Sequence, residues 1–182
     1  NSGVAVQAAD YGASSLIQVK KAAALSATLA LGATLRNVGQ TFAVTMTVQN
    51  TGGTDALVVA PSALSLIGTP VALLQTGPTP ANQTVQAGQS KDFVWIYSAV
   101  GSGVVALQGS ASGNDANSNA PVASNLTTSA NLTVQAPADL QITSIVASPS
   151  TVGTGSNIQI VLTVQNIGDA AAQNVSGQAL TY

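Results

Sequence analysis

The chain of 182 residues contains no cysteine, no histidine and no glutamate, and only 5% of it is charged. An ordinary globular domain carries about 25%. Without a thiolate or an imidazole there is no zinc site of the usual kind, no haem attachment and no disulfide framework. Cys-His and Ser-His-Asp nucleophiles are excluded by the same two absences. The cations Lys20, Lys21, Arg36 and Lys91 are scattered along a chain of net charge −2. They cannot form the basic footprint that a phosphate backbone requires, so nucleic acid is not an expected partner. No apolar run approaches the ~18 residues of a membrane span. Residues 22–31 are apolar but too short and broken by threonine, and residues 1–18 lack the basic head of a signal peptide. Chemistry would have to rest on aspartate and hydroxyl groups alone. The expectation is therefore no enzyme and no cofactor.

What is present is mostly alanine, valine and small polar residues, with an apolar share of 46%. That is enough for a core and excludes disorder of the charged, weakly hydrophobic kind. Few lysines and arginines leave few sites for trypsin-like proteases, which points to an extracellular or cell-surface protein.

An internal repeat organises the chain. Residues 39–52 read GQTFAVTMTVQNTG and residues 155–168 read GSNIQIVLTVQNIG, an ungapped match at an offset of 116 with six of fourteen positions identical. The alternating pairs Phe42/Ile158, Val44/Ile160, Met46/Leu162 and Val48/Val164 keep apolar character. This is the period-two pattern of a strand with one buried face. A second match sets residues 14–25 (SSLIQVKKAAAL) against 129–140 (SANLTVQAPADL) at an offset of 115. One complete repeat is thus expected over 23–137. Residues 1–22 read as the closing strand of a preceding repeat, and 138–182 as the opening strands of a following one. The chain reads as a window on a longer tandem array. The head and tail pieces cover the equivalents of 116–137 and 23–66. They leave 67–115 unsupplied, so joining them completes a domain only in part.

Strands are expected at 25–31, 41–49, 63–67, 83–86, 92–99, 104–110 and 130–135, with no helix. The turn-rich stretches 50–54 (NTGGT), 77–80 (GPTP), 87–90 (AGQS), 101–103 (GSG) and 113–119 (GNDANSN) separate them. Alanine favours helix over 22–31, but the corresponding 140–146 (LQITSIV) is β-branched and overrides it. Seven strands in about 115 residues, packed as two sheets, describe an immunoglobulin-like sandwich. The expected fold class is all-β, with immunoglobulin-like β-sandwich repeats in tandem. Phe93, Trp95 and Tyr97 share one face of a strand and should centre the core; a sugar-stacking Trp95 is the functional alternative.

The glycine before an alternating strand, the V-x-N-x-G turn and the strand AGQSKDFVWIY resemble CARDB-like immunoglobulin-like repeats of large bacterial and archaeal surface proteins. The resemblance covers nearly the whole chain and implies an extracellular stalk, adhesin or filament component, with no catalytic residues to transfer. Lys20 and Lys21 depart from the usual uncharged linker.

Candidate sites are few. Asp115, Asn117 and Asn119 resemble part of a calcium loop, but only Asp115 supplies a carboxylate, and turn chemistry explains the same residues. No metal is expected. Asp10, Asp55, Asp92, Asp139 and Asp169 are well separated in sequence, and a glycosidase-like pair among them is not expected. Asp55 and Asp169 follow the two TVQN turns and are read as capping or solubilising them. Asn82, Asn125, Asn131 and Asn174 fit the glycosylation sequon, which arises easily in such a composition. The leading reading is a structural component of an extracellular fibre, filament or stalk. Its expected partners are neighbouring repeats or further copies of the chain, joined by strand addition. The short linker 135–139 (QAPAD), with the fixed φ of Pro137, would limit bending between neighbours. The alternative is an adhesin module that binds a surface glycan or protein through loop tips such as 113–119. An accessory domain beside a catalytic one is a third reading.

Overall fold

Alternation writes most of this fold. In the computed structural model, which describes residues 17–178, every segment with a period-two apolar pattern is a strand, and no residue is helical. The elements in chain order are β1 (Leu25–Leu31), β2 (Leu35–Asn37), β3 (Thr41–Asn50), β4 (Ala56–Pro61) and β5 (Ser65–Gly68). They continue with β6 (Ala72–Thr79), β7 (Gln83–Val85), β8 (Ser90–Ala99), β9 (Gly103–Gly109) and β10 (Ala111–Asp115). The last are β11 (Pro121–Ala123), β12 (Thr127–Thr128), β13 (Leu132–Gln135), β14 (Leu140–Ser148) and β15 (Gln159–Asn166). The protein is all-β, an immunoglobulin-like sandwich followed by a separate hairpin.

One sheet of the sandwich has the order β1-β3-β8-β6. The facing sheet runs β12-β9-β13-β2, with β5 also paired to β9. A two-sheet description is incomplete, because β11-β10-β4-β7 form a third ladder. Register shifts between Ser112 and Asn114 in β10 and between Ala56 and Val59 in β4 accompany this separation. Val58, between the latter two, has a φ of 49°. Such irregularities bend a strand out of the sheet it would otherwise extend.

The core lies where β3 and β8 pair, with Val44 opposite Trp95 and Met46 opposite Phe93. All four side chains are buried, together with Val105, Leu107, Leu132 and Val134 of the facing sheet. Phe42 stacks on Tyr97 with ring centroids 5.8 Å apart. Burial raises the Tyr97 phenol above its ordinary pKa. Trp95 is 1% exposed and belongs to the core, which rules it out as a sugar platform.

Two expected turns differ in the structure. The GPTP stretch lies largely inside β6 rather than beyond it, since β6 is an edge strand whose bulges tolerate proline. The 113–119 stretch begins as strand, because β10 pairs with β4 and β11 as far as Asp115. Of the expected closing strand over 1–22, residues 1–16 lie outside the described residues. Residues 17–24 form no strand pairing.

Candidate functional site

Two places in the fold could do more than support a core: the turn that holds each incoming linker, and the apolar hairpin at the far end of the described residues.

The turn is built from an asparagine and a glycine two residues later. Asn50 is fully buried, and its Oδ1 accepts the N–H groups of Ala24 (3.1 Å) and Gly52 (3.0 Å). Its Nδ2 donates to the carbonyls of Thr54 (2.8 Å) and Val85 (3.0 Å). Asn166 repeats this at the second turn, accepting from Asp139 (3.0 Å) and Gly168 (3.1 Å) and donating to Ala170 (2.8 Å). The chain between the linker and the first strand is pressed against the glycine. A Cβ on Gly52 would meet the backbone of residues 22–24, and one on Gly168 the backbone of residues 137–139. Only glycine fits so close an approach. The two TVQN stretches therefore occupy equivalent local structures, each gripping the segment that leads into its own first strand.

Further equivalences run through both halves. Gly39 and Gly155 have φ of 89° and 84°, and Val58 and Asn174 have φ of 49° and 55°. Each pair is again separated by 116 positions.

The first junction carries a buried carboxylate. Asp115 accepts the hydroxyl of Thr54 and the N–H of Ala23 (2.7 Å) on Oδ2. Its Oδ1 accepts the N–H groups of Asn117 (3.0 Å) and Ser118 (2.8 Å) and the Ser118 hydroxyl (2.9 Å). The Thr54 hydroxyl, then the Ala23 and Ser118 amides, hold its pKa well below the usual carboxylate range, while burial opposes them. Both oxygens are taken up by protein donors, so this aspartate ties the entering chain to the β10–β11 turn. Asn117 is present there through its backbone amide. Asn119 donates its own amide to the Asp115 carbonyl and has a φ of 56°. Among the described residues no three acidic side chains converge. Asp55 accepts the N–H of Ala87 (2.9 Å), and Asp169 accepts that of Ala136 (3.0 Å), so both cap backbone amides.

The linker itself is bonded on both sides. Gln135 O accepts from Val38 (3.0 Å), while Ala136 O accepts from Ala170 (3.1 Å). Pro137 lies between these bonds and the Asn166 grip.

The hairpin is the second place. β14 and β15 pair from Leu140↔Asn166 to Ser148↔Gln159, as β1 and β3 pair from Leu25↔Asn50. The environments differ sharply. Val44, Met46 and Val48 of β3 are 0% exposed, whereas their counterparts Ile160, Leu162 and Val164 are 38%, 38% and 43% exposed. Leu140, Ile142, Leu162, Val164 and Val175 line an apolar cleft of about 480 Å³. Among the described residues β15 has no partner on the edge where β3 receives β8. Sequence reading found this pattern but not its exposure, because alternation records which face is apolar, not whether anything covers it.

No protein-family model and no curated protein matches the chain. Solved structures do. The CARDB domain of a Pyrococcus furiosus protein, crystallised with di-metal ions, is 13% identical with a TM-score of 0.46, over 65% of this chain and 94% of that one. The part of native Escherichia coli alpha-2-macroglobulin from domain MG7 to the C-terminus is 18% identical with a TM-score of 0.49. That match covers 70% of this chain and 19% of that one. A cohesin module of a Clostridium perfringens family 33 glycoside hydrolase is 8% identical with a TM-score of 0.42, over 64% and 99%. CARDB structures are thus among those the chain is similar to, as its sequence resemblance leads one to expect.

Proposed function

We propose that the chain is a scaffolding component of an extracellular fibre, filament or surface stalk. Immunoglobulin-like sandwiches follow one another in it, and strand addition between subunits extends it. The observation that carries this reading is the contrast between β1–β3, buried in a finished sandwich, and β14–β15, the same hairpin with its apolar face open. A face of that kind is stable in water only when something covers it. Sheet edges with few charges readily accept another strand.

The mechanical part follows from the junctions. Asn50 with Gly52, and Asn166 with Gly168, fix the path of the chain into each sandwich. The bonds of Gln135 and Ala136 to Val38 and Ala170 tie the linker to both neighbours. Tension along the chain would be borne by strands and by these turns rather than by a loose tether. A nearly uncharged exterior lets neighbouring fibres approach without like-charge repulsion. The role is non-catalytic, with further copies as the partner. Support for an adhesin role is weaker, since the 113–119 segment is spent on a strand and on a turn built around Asp115.

Electron microscopy and light scattering of the purified 182-residue chain test the reading. Elongated assemblies that grow with concentration are expected. Dispersed monomers at every concentration and salt would overturn it.

A further inference from the structure

The open hairpin has an inferable occupant, because the finished sandwich displays what belongs there. In it, the hairpin β1–β3 is covered by the facing sheet, where β9 and β13 pair antiparallel with Leu132 opposite Val105. Val105, Leu107, Leu132 and Val134 from that pair are buried in one cluster with Leu25, Ala27, Val44, Met46 and Val48.

The start of the chain carries a second version of that pair. Ile17 and Val19 are the counterparts of Leu132 and Val134, yet they are 90% and 91% exposed where the latter are 0% and 2%. Further upstream, residues 4–7 read VAVQ and residues 105–108 of β9 read VALQ, three of four identical. Val4 and Val6 thus stand where Val105 and Leu107 stand. The head of the chain holds the apolar residues of a β9–β13 pair without a hairpin to cover. The hairpin β14–β15 lacks the pair that covers it.

We propose that residues 4–19 of one copy seat on the apolar face of β14–β15 of a second copy, with Val4, Val6, Ile17 and Val19 entering the cleft lined by Leu140, Ile142, Leu162 and Val164. The contact is heterologous: the head of each subunit meets the tail of the next, so it propagates as an open fibre rather than closing as a dimer. The composite sandwich has both layers but no counterpart of β8. The outer edge of β15 stays available for lateral pairing. This deepens the fibre reading and rests on it.

Two double variants of the full chain test the proposal. Ile17→Asp with Val19→Asp disables the head, and Leu162→Asp with Val164→Asp disables the tail. The fluorescence of Trp95, the one tryptophan and deep in the intact sandwich, reports that each variant keeps its fold. By size-exclusion chromatography with light scattering, each variant alone should remain monomeric. An equimolar mixture should double in mass and stop there, because one intact head meets one intact tail. Leu73→Asp, on the exposed face of β6, should elongate like the unaltered chain. Elongation by the head variant alone, or a mixture that stays monomeric while the unaltered chain elongates, overturns the head-to-tail contact and leaves the fibre reading standing. Elongation lost only in Leu73→Asp also overturns it and moves the contact to β6. An unaltered chain that never elongates overturns both.

Discussion

Asn50 and Asn166, 116 residues apart, close the same turn with the same side-chain geometry, yet one is buried and the other exposed. The difference lies in what surrounds them. Asn50 has β7 beside it and donates to Val85 O, whereas the turn at Asn166 has no such strand among the described residues. The turn is therefore a local device that forms from its own sequence, and burial is added only when the sandwich closes over it.

Replacing Asn50 by alanine should be costly for that reason. The change strands the Ala24 and Gly52 amides and the Thr54 and Val85 carbonyls, and buried polar groups left without partners cost about 1–3 kcal/mol each at most. With partial relaxation a loss of about 2–4 kcal/mol is expected. At Asn166, where water replaces the missing bonds, Asn166→Ala should cost under about 1 kcal/mol in the isolated chain. Urea unfolding followed by Trp95 fluorescence measures the first, and hydrogen exchange at residues 139–168 the second.

Gly52 and Gly39 separate two reasons for glycine. A Cβ at Gly52 would lie 2.8 Å from Ala24 N and closer still to Ala22 O, all backbone that cannot swing away. Gly39 has φ +89° but nothing within 4 Å of its would-be Cβ. Gly52→Ala should therefore destabilise by about 2–4 kcal/mol, against about 1 kcal/mol for Gly39→Ala. Thermal unfolding of the two variants side by side decides whether close approach outweighs backbone strain here.

Much of this was legible in the sequence, and the missing parts share a cause. β1 was read to the residue, and β3, β8, β9 and β13 to within two, because each alternates on one face. The repeat at 116 placed both TVQN turns correctly. β2, β4, β6, β10, β11 and β12 were not foreseen. β4 and β10 carry bulges that interrupt the alternation, β6 contains two prolines at an edge, and the others are two or three residues long. Asp115 was weighed as a calcium ligand and set aside, but its link to Ala23 spans 92 residues, beyond any local pattern. The open face of β14–β15 was invisible because exposure is a property of the neighbours a strand has.

The core prediction follows from the register. Trp95 sits opposite Val44 with almost no exposed surface, at the centre of the sheet that holds the sandwich together. Trp95→Ala should leave a cavity that the close-packed β3 and β8 backbones cannot collapse, costing about 3–5 kcal/mol. Trp95→Phe should lose less than half of that. Denaturant midpoints monitored by far-ultraviolet circular dichroism, which does not depend on the tryptophan, provide the check.

Asp115 sets the acid limit of the fold. Its folded pKa is depressed, so below the ordinary aspartate range the unfolded chain binds more protons than the folded one, and stability rises with pH there. The contribution is complete above about pH 4, the unfolded value, and is lost as pH falls through the folded value in strong acid. The unaltered chain should therefore show a flat urea midpoint from about pH 8 to pH 4.5 and a steep fall beneath. Asp115→Asn keeps the shape but puts an amide NH₂ where one oxygen accepts hydrogen bonds, from either the Thr54 hydroxyl and Ala23 amide or the three donors on Oδ1. It should be less stable at pH 7 and lose most of the acid dependence. An unchanged acid profile in that variant would assign the fall to other carboxylates and deny Asp115 its part in holding the entering strand.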